Sequence, residues 1–250
     1  MERWQNKVAV ITGASSGIGV AIAKDFVMAG LQVIGLARRK ELMEKLHNDL
    51  PEDKRSQFTP MYCDISSRES INEVFANILS QFGAIDVLVN NAGCMKLGQL
   101  SSMKMDDVEK VLHTNVLGLV ACTQFAFKSM KERNFNGHII NVNSIAGHSV
   151  LLGIPNQTPA FNIYSPTKYA ITAINEIYRT EFRDLKTQIK ISSISPGFVD
   201  TEIIYDDLRK VLGECLLKPE DVSNAVMFTL STPPHVQVHD MIIKPVGEIV

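Results

Sequence analysis

The sequence is short of cysteine, of clustered histidine, of excess charge and of long apolar runs, and each shortage removes a class of function. Its four cysteines, Cys63, Cys94, Cys122 and Cys215, are scattered with no Cys-x-x-Cys spacing. That argues against a disulfide framework or a zinc site and favours a reducing compartment. The six histidines show no ligand spacing either, so no metal is expected. Against 27 acidic residues there are 25 basic ones, a net charge of −2, which argues against a nucleic-acid surface. No apolar run approaches the roughly 20 residues that a membrane helix needs. The opening Met1-Glu2-Arg3-Trp4-Gln5-Asn6-Lys7 lacks the apolar core of a secretion signal. A cytoplasmic protein with no metal, no nucleic acid and no membrane span is the expectation.

What is present is a regular alternation over 250 residues, unbroken by repeats or linkers. Short Val- and Ile-rich runs at Val8–Ile11, Gln32–Leu36, Phe58–Tyr62, Ile85–Val89, His138–Val142, Lys190–Ile194 and Met241–Ile243 read as buried parallel strands. Longer helical patterns separate them: Gly17–Ala29, Lys40–Leu50, Arg68–Phe82, Lys104–Arg133, Tyr164–Leu185 and Pro219–Leu230. Right-handed crossovers then give an α/β fold, a Rossmann-type doubly wound parallel sheet of about seven strands with helices on both faces. One domain, 1–250, is expected, with its cofactor-binding part in about 1–145.

Tyr164 and Lys168 lie four residues apart, with Ser144 twenty residues upstream of the tyrosine. A free phenol ionises only near about pH 10 and is a poor base at neutrality. Residues at i and i+4 share a helix face, so the Lys168 ammonium can approach the Tyr164 hydroxyl. At about 4 Å and an effective dielectric of about 20 that charge favours the phenolate by roughly 4 kcal/mol, or at most about three pKa units. Ser144 could then hydrogen-bond a substrate oxygen.

The first strand runs into Thr12-Gly13-Ala14-Ser15-Ser16-Gly17-Ile18-Gly19 directly before a helix. Glycines let the backbone approach a pyrophosphate, and a helix N-terminus offers free N–H groups and a positive dipole. At the end of the second strand, Ala37 stands where an acidic residue would select a free ribose 2′-hydroxyl. Arg38 and Arg39 follow and suit a phosphate. NADP(H) is therefore expected over NAD(H), with Arg38 the stronger contact.

In this order and spacing the residues resemble the short-chain dehydrogenase/reductase family across nearly the whole chain. The matching elements are Thr12–Gly19, Asp64 after the third strand, Asn90-Asn91-Ala92-Gly93, Asn115, Ser144, Tyr164, Lys168 and the Pro196-Gly197 to Thr201 segment. The resemblance implies Tyr164 as general acid/base and Ser144 as the group that orients the substrate oxygen. It implies that Lys168 lowers the tyrosine pKa and holds the nicotinamide ribose, and that Asn115 positions a water in a proton relay. Gly13, Ser15, Ser16, Gly17, Ile18, Gly19, Arg38, Arg39, Asp64, Ile65, Asn91, Ala92, Gly93, Tyr164, Lys168, Pro196, Gly197, Val199 and Thr201 form the expected cofactor site. On the residues alone, Asn90 and Asn115 could instead satisfy buried backbone groups, and Asp64 could be a helix cap before Ser66. Pro166 stands where the family more often has alanine; it is tolerated only in a first turn, so the helix is expected to begin within a few residues of Tyr164.

Segments 94–100, 145–163 and 198–213 should border the substrate. They carry Met95, Leu97, Val150, Leu151, Leu152, Ile154, Phe161, Phe198, Ile203, Ile204 and Tyr205, with few charges before Asp206. A lipophilic alcohol or carbonyl is expected. The opening Met1-Glu2-Arg3-Trp4, Lys131–Asn134, Asn143–His148 and Lys218–Val222 resemble the family branch of insect NADP-dependent farnesol dehydrogenases and related hydroxysteroid dehydrogenases and carbonyl reductases. Farnesol dehydrogenase is the leading expectation, a hydroxysteroid dehydrogenase or carbonyl reductase the alternative, and a catalytically silent NADP(H) sensor the reading from another class. The family also implies a homo-oligomer, dimer or tetramer.

Overall fold

Strand β1 (Val8–Thr12) is buried at all five positions, which requires neighbours on both edges and cover on both faces. A computed structural model describing residues 1–150 and 161–248 supplies both. β1 lies in a seven-stranded, wholly parallel sheet with β2 (Gln32–Ala37), β3 (Phe58–Tyr62), β4 (Val87–Asn90), β5 (His138–Val142), β6 (Lys190–Pro196) and β7 (Asp240–Ile243). The order is β3-β2-β1-β4-β5-β6-β7. The expected Rossmann-type architecture is the one observed.

Alternation along the strands divides the core in two. Ala9 and Ile11 face Ile22 and Phe26 of α1 (Gly17–Met28), Met43 and Leu46 of α2 (Lys40–Asp49) and Val226 of α8 (Pro219–Ser231). Val8 and Val10 face Ile71 and Phe75 of α3 (Arg68–Phe82), Cys122 and Ala126 of α5 (Gly118–Glu132) and Phe182 of α6 (Tyr164–Asp184). The chain winds from β1 outward to β3, then returns to place β4 on the other side of β1. The carboxyl ends of β1 and β4, at Thr12 and Asn90, therefore diverge into a crevice, the place where such sheets bind ligands.

The pattern Lys104–Arg133, expected as one helix, is divided. α4 (Met105–Leu112) and α5 flank a π-helical turn at His113–Leu117. The backbone stays helical at both junctions, so the rod continues with one wider turn. Such turns re-aim side chains and recur at functional sites; this one carries Asn115.

His138, at the start of β5, has a fully buried ring whose Nε2 meets Ser192 Oγ at 2.9 Å. Burial, with help from Lys190 and Arg3, lowers its pKa from 6.5 to about 3. The unfolded chain therefore takes up a proton that the folded chain refuses, and stability is lost as pH falls from 6.5 towards about 3. His138→Gln is expected to flatten that limb of a stability-against-pH curve relative to wild type. Parallel curves for the two proteins would show that His138 has no part in acid sensitivity.

Candidate active site

A cleft of about 510 Å³ opens over the crevice between β1 and β4. Its floor comes from the β1–α1 turn, one side from the ends of β2 and β3, and the other from β5, α6 and the segment after β6. It is lined by Gly13, Ser15, Ser16, Gly17, Ile18, Arg38, Arg39, Asp64, Ile65, Asn91, Ala92 and Gly93 on the first side. Ser144, Tyr164, Lys168, Pro196, Gly197, Val199 and Thr201 line the second. Two expected residues, Gly19 and Asn115, stand just behind this lining.

The glycine turn fits a dinucleotide for reasons visible in its backbone. Gly17 has φ +53°, and a Cβ there would come within 2.8 Å of the Thr201 methyl. A Cβ on Gly19 would sit 2.2 Å from the Gly13 carbonyl oxygen, so Gly19 is needed to seat α1 against the turn rather than to touch a ligand. Ser16 precedes α1 in extended conformation and makes no side-chain cap. The first N–H groups of the helix are therefore left without a side-chain cap, at residues that line the cleft.

Thr12 and Asn91 lock the two strand ends together. Thr12 Oγ1 accepts from the Asn91 and Ala92 N–H groups, both at 3.0 Å, while Asn91 Nδ2 donates to the carbonyls of Thr12 and Gly13. Asn90 is structural: its amide donates to Thr123 Oγ1 and Asn141 Oδ1, and Asn141 donates to Asn175. Asp64 acts as the local cap, accepting from the Ser66 N–H and hydroxyl through Oδ1. Against the cost of burial, these bonds and the charges of Arg38 and Lys110 hold its pKa below the usual carboxylate value. Arg38 is exposed at the rim, whereas Arg39 reaches across to Ser16 Oγ at 2.9 Å and to Glu202 at 2.8 Å.

α6 begins at Tyr164, with Pro166 exposed in its first turn, as the proline requires. Tyr164 is partly buried beside Phe161, with ring centroids 6.5 Å apart. Lys168 is 6% exposed; its Nζ donates to the carbonyls of Val142 at 3.1 Å and Asn143 at 3.2 Å and lies 5.5 Å from the Tyr164 ring centroid. Ser144 lies two residues beyond the end of β5 and caps a short turn by accepting from the Ala146 N–H.

The electrostatics differ from the sequence expectation. Burial pushes the Tyr164 phenol up to about 12, opposed by a hydrogen bond with Ser144 and reinforced by Cys94. The same burial lowers Lys168 to about 8. An ammonium bound to two carbonyls and itself short of solvent does not offset the phenolate's desolvation. The Tyr164 phenol is therefore held in its protonated form at neutral pH.

Asn115 is occupied as a clamp. Oδ1 accepts from the Cys94 N–H at 2.8 Å, and Nδ2 donates to the Cys94 carbonyl and to Thr167 Oγ1. The π turn thereby ties the segment after β4 to the first turn of α6.

On the substrate side, Met95, Phe161, Phe198, Ile203 and Ile204 line the cleft. Leu97 and Val150 are exposed outside it, and Leu151, Leu152 and Ile154 lie outside the described residues. The segment expected as a loop at 198–213 contains a helix, α7 (Asp206–Leu212), whose Leu208 and Leu212 pack with Phe198 and Ile145. Its i, i+4 leucines and leading aspartates were a legible signal. Sequence reasoning missed Lys110 and Thr114 in the lining and, within the expected segment 198–213, did not single out Glu202; isolated polar residues carry no periodic signature.

Comparison with known proteins agrees with this geometry. The chain is 48% identical over 249 residues to a farnesol dehydrogenase of Aedes aegypti, with 99% of each chain covered. It is 40% identical over 259 residues to dehydrogenase/reductase SDR family member 11 of Mus musculus, covering 100% of this chain and 98% of that one. Among solved structures, the closed form of serine dehydrogenase complexed with NADP+ superposes with a TM-score of 0.85 at 30% identity, covering 96% of each chain. The model of the short chain dehydrogenase family matches residues 7–210. With its crevice, glycine turn and tyrosine–lysine helix in place, this chain belongs to the short-chain dehydrogenase/reductase family of oxidoreductases.

Proposed function

We propose that the protein is an NADP(H)-dependent oxidoreductase that interconverts a lipophilic alcohol and its aldehyde or ketone, farnesol and farnesal being the leading pair. The observation that carries this reading is the convergence of Tyr164, Ser144 and Lys168 on a cleft that joins a glycine phosphate cradle to an apolar wall. The 48% identity to a farnesol dehydrogenase supports the isoprenoid. The NADP+ complex of a structural neighbour supports the cofactor, as does the absence of a carboxylate at Ala37.

Gly13, Ser15, Ser16, Gly17, Ile18, Asp64, Ile65, Asn91, Ala92, Gly93, Pro196, Gly197, Val199 and Thr201 would hold the dinucleotide, with Gly19 seating α1 behind them, and Arg38 and Arg39 would hold its 2′-phosphate. When bound, the nicotinamide supplies the hydride chemistry. Tyr164 Oη gives a proton to the substrate oxygen in reduction and removes it in oxidation. Ser144 orients that oxygen. Lys168 holds the ribose side of the cleft, while Asn115 fixes the backbone around it and supports a proton relay. Phe161, Phe198 and Ile204 exclude water from the reacting end.

A cytoplasmic homo-oligomer completes the reading. Exposed Leu117, Tyr169 and Ile177 on the long helices are suited to pack across subunits. The substrate class is tested by kcat/KM for NADP+-linked oxidation of prenol, geraniol and farnesol. Apolar burial predicts a rise of about tenfold or more from prenol to farnesol. A flat series would contradict the lipophilic site, and silence with all three beside turnover of steroid ketones with NADPH would favour the hydroxysteroid alternative.

A further inference from the structure

The Arg39 guanidinium is held from two sides. One nitrogen donates to Ser16 Oγ at 2.9 Å, reaches Ser15 Oγ at 3.5 Å and pairs with Glu202 Oε2 at 2.8 Å. Ser15 and Ser16 belong to the phosphate turn, and Glu202 to the segment that follows β6. Next to Glu202, the Thr201 methyl covers Gly17 so closely that no Cβ fits between them. Both ends of the ion pair line the same cleft. The segment after β6 thus closes onto the glycine turn, and the Arg39–Glu202 pair is its outer fastening.

We propose that Glu202 is a built-in competitor for Arg39 and so determines how strongly the cleft prefers a 2′-phosphorylated cofactor. This inference rests on the NADP(H) reading above. A carboxylate and a phosphate seek the same guanidinium face, and the phosphate offers more charge and more acceptor oxygens. The pair is largely solvent-exposed, at 46% and 62% of the two side chains, and exposed pairs of this kind are weak enough to exchange. Once Arg39 turns to a phosphate, Glu202 is left as a like charge beside it. The carboxylate therefore weakens binding twice, first by occupying the arginine and then by repulsion. A cofactor with no 2′-phosphate makes little demand on Arg39 and feels Glu202 less.

Calorimetric titration of the full-length protein with NADP+ and with NAD+, without substrate, tests this in wild type, Glu202→Gln, Arg39→Gln and the double variant. Glu202→Gln is expected to tighten NADP+ by about three- to tenfold and to change NAD+ by about twofold or less. Most of the gain should be lost in the Arg39→Gln background, where only the repulsive part remains. Unchanged or weaker NADP+ binding in Glu202→Gln overturns the proposal, as does equal tightening of both cofactors or a gain undiminished without Arg39. Wild type that binds NAD+ as tightly as NADP+ would overturn the NADP(H) reading itself. Preference for NADP+ with no response to Glu202→Gln would overturn this inference alone.

Discussion

Tyr164→Phe is expected to lower kcat by about 10²- to 10⁴-fold while leaving cofactor affinity within a small factor of wild type. The substitution removes one hydroxyl and keeps the ring that packs beside Phe161, so the fold and the cleft survive. What disappears is the proton donor that faces Ser144. The direction of the Tyr164 shift adds a pH signature. With its pKa raised, the phenol stays protonated through neutrality and stands ready as an acid for carbonyl reduction. Alcohol oxidation needs the phenolate, whose population grows with pH. Oxidation by wild type should therefore accelerate towards alkaline pH while reduction does not, and the phenylalanine variant should lose that slope. Full activity of the variant with a true substrate would exclude Tyr164 as the acid/base.

Lys168→Met should have two effects of opposite sign. Activity is expected to fall by about 10²-fold or more, because the ammonium beside Tyr164 is lost. Thermal stability of the cofactor-free protein should rise. Folding lowers the Lys168 pKa from 10.5 to about 8 through burial, so the folded chain carries a penalty for the charged form. That penalty is complete below about pH 8 and vanishes above 10.5. Methionine of similar length removes the charge but strands the carbonyls of Val142 and Asn143. The net gain near neutral pH is therefore on the order of 1 kcal/mol, or about 2–4 °C in Tm. The gain should shrink as pH rises from 8 towards 10.5. A variant that melts lower than wild type at neutral pH would show that the carbonyl contacts outweigh the buried charge.

Legibility in the sequence followed burial and strong local constraints. β1, β4 and β5 were readable because each is buried at every position, which leaves near-continuous apolar runs, whereas β3 and β7, only partly buried, were readable from their place in the alternation. The helix start at Tyr164 was readable because Pro166 permits little else. The glycine turn was readable because Gly17 and Gly19 leave no space for a side chain. Three things were not. The π turn at His113–Leu117 changes the hydrogen-bond register without changing the apolar pattern. The pKa of Tyr164 depends on desolvation by residues distant in sequence, and a pairwise estimate with Lys168 omits that cost. The Arg39–Glu202 pair joins residues 163 apart, and nothing in either neighbourhood marks the other.

We propose that this cleft performs NADP-linked oxidation of a lipophilic alcohol through Tyr164. Nicotinamide absorbance on mixing farnesol with NADP+ and wild-type protein, beside NAD+ and beside Tyr164→Phe, tests it most directly. Rapid NADPH formation by wild type is expected, with a much slower signal with NAD+ and almost none from the variant. Equal rates with NAD+ would contradict the arginine phosphate site, and equal rates from Tyr164→Phe would contradict the mechanism.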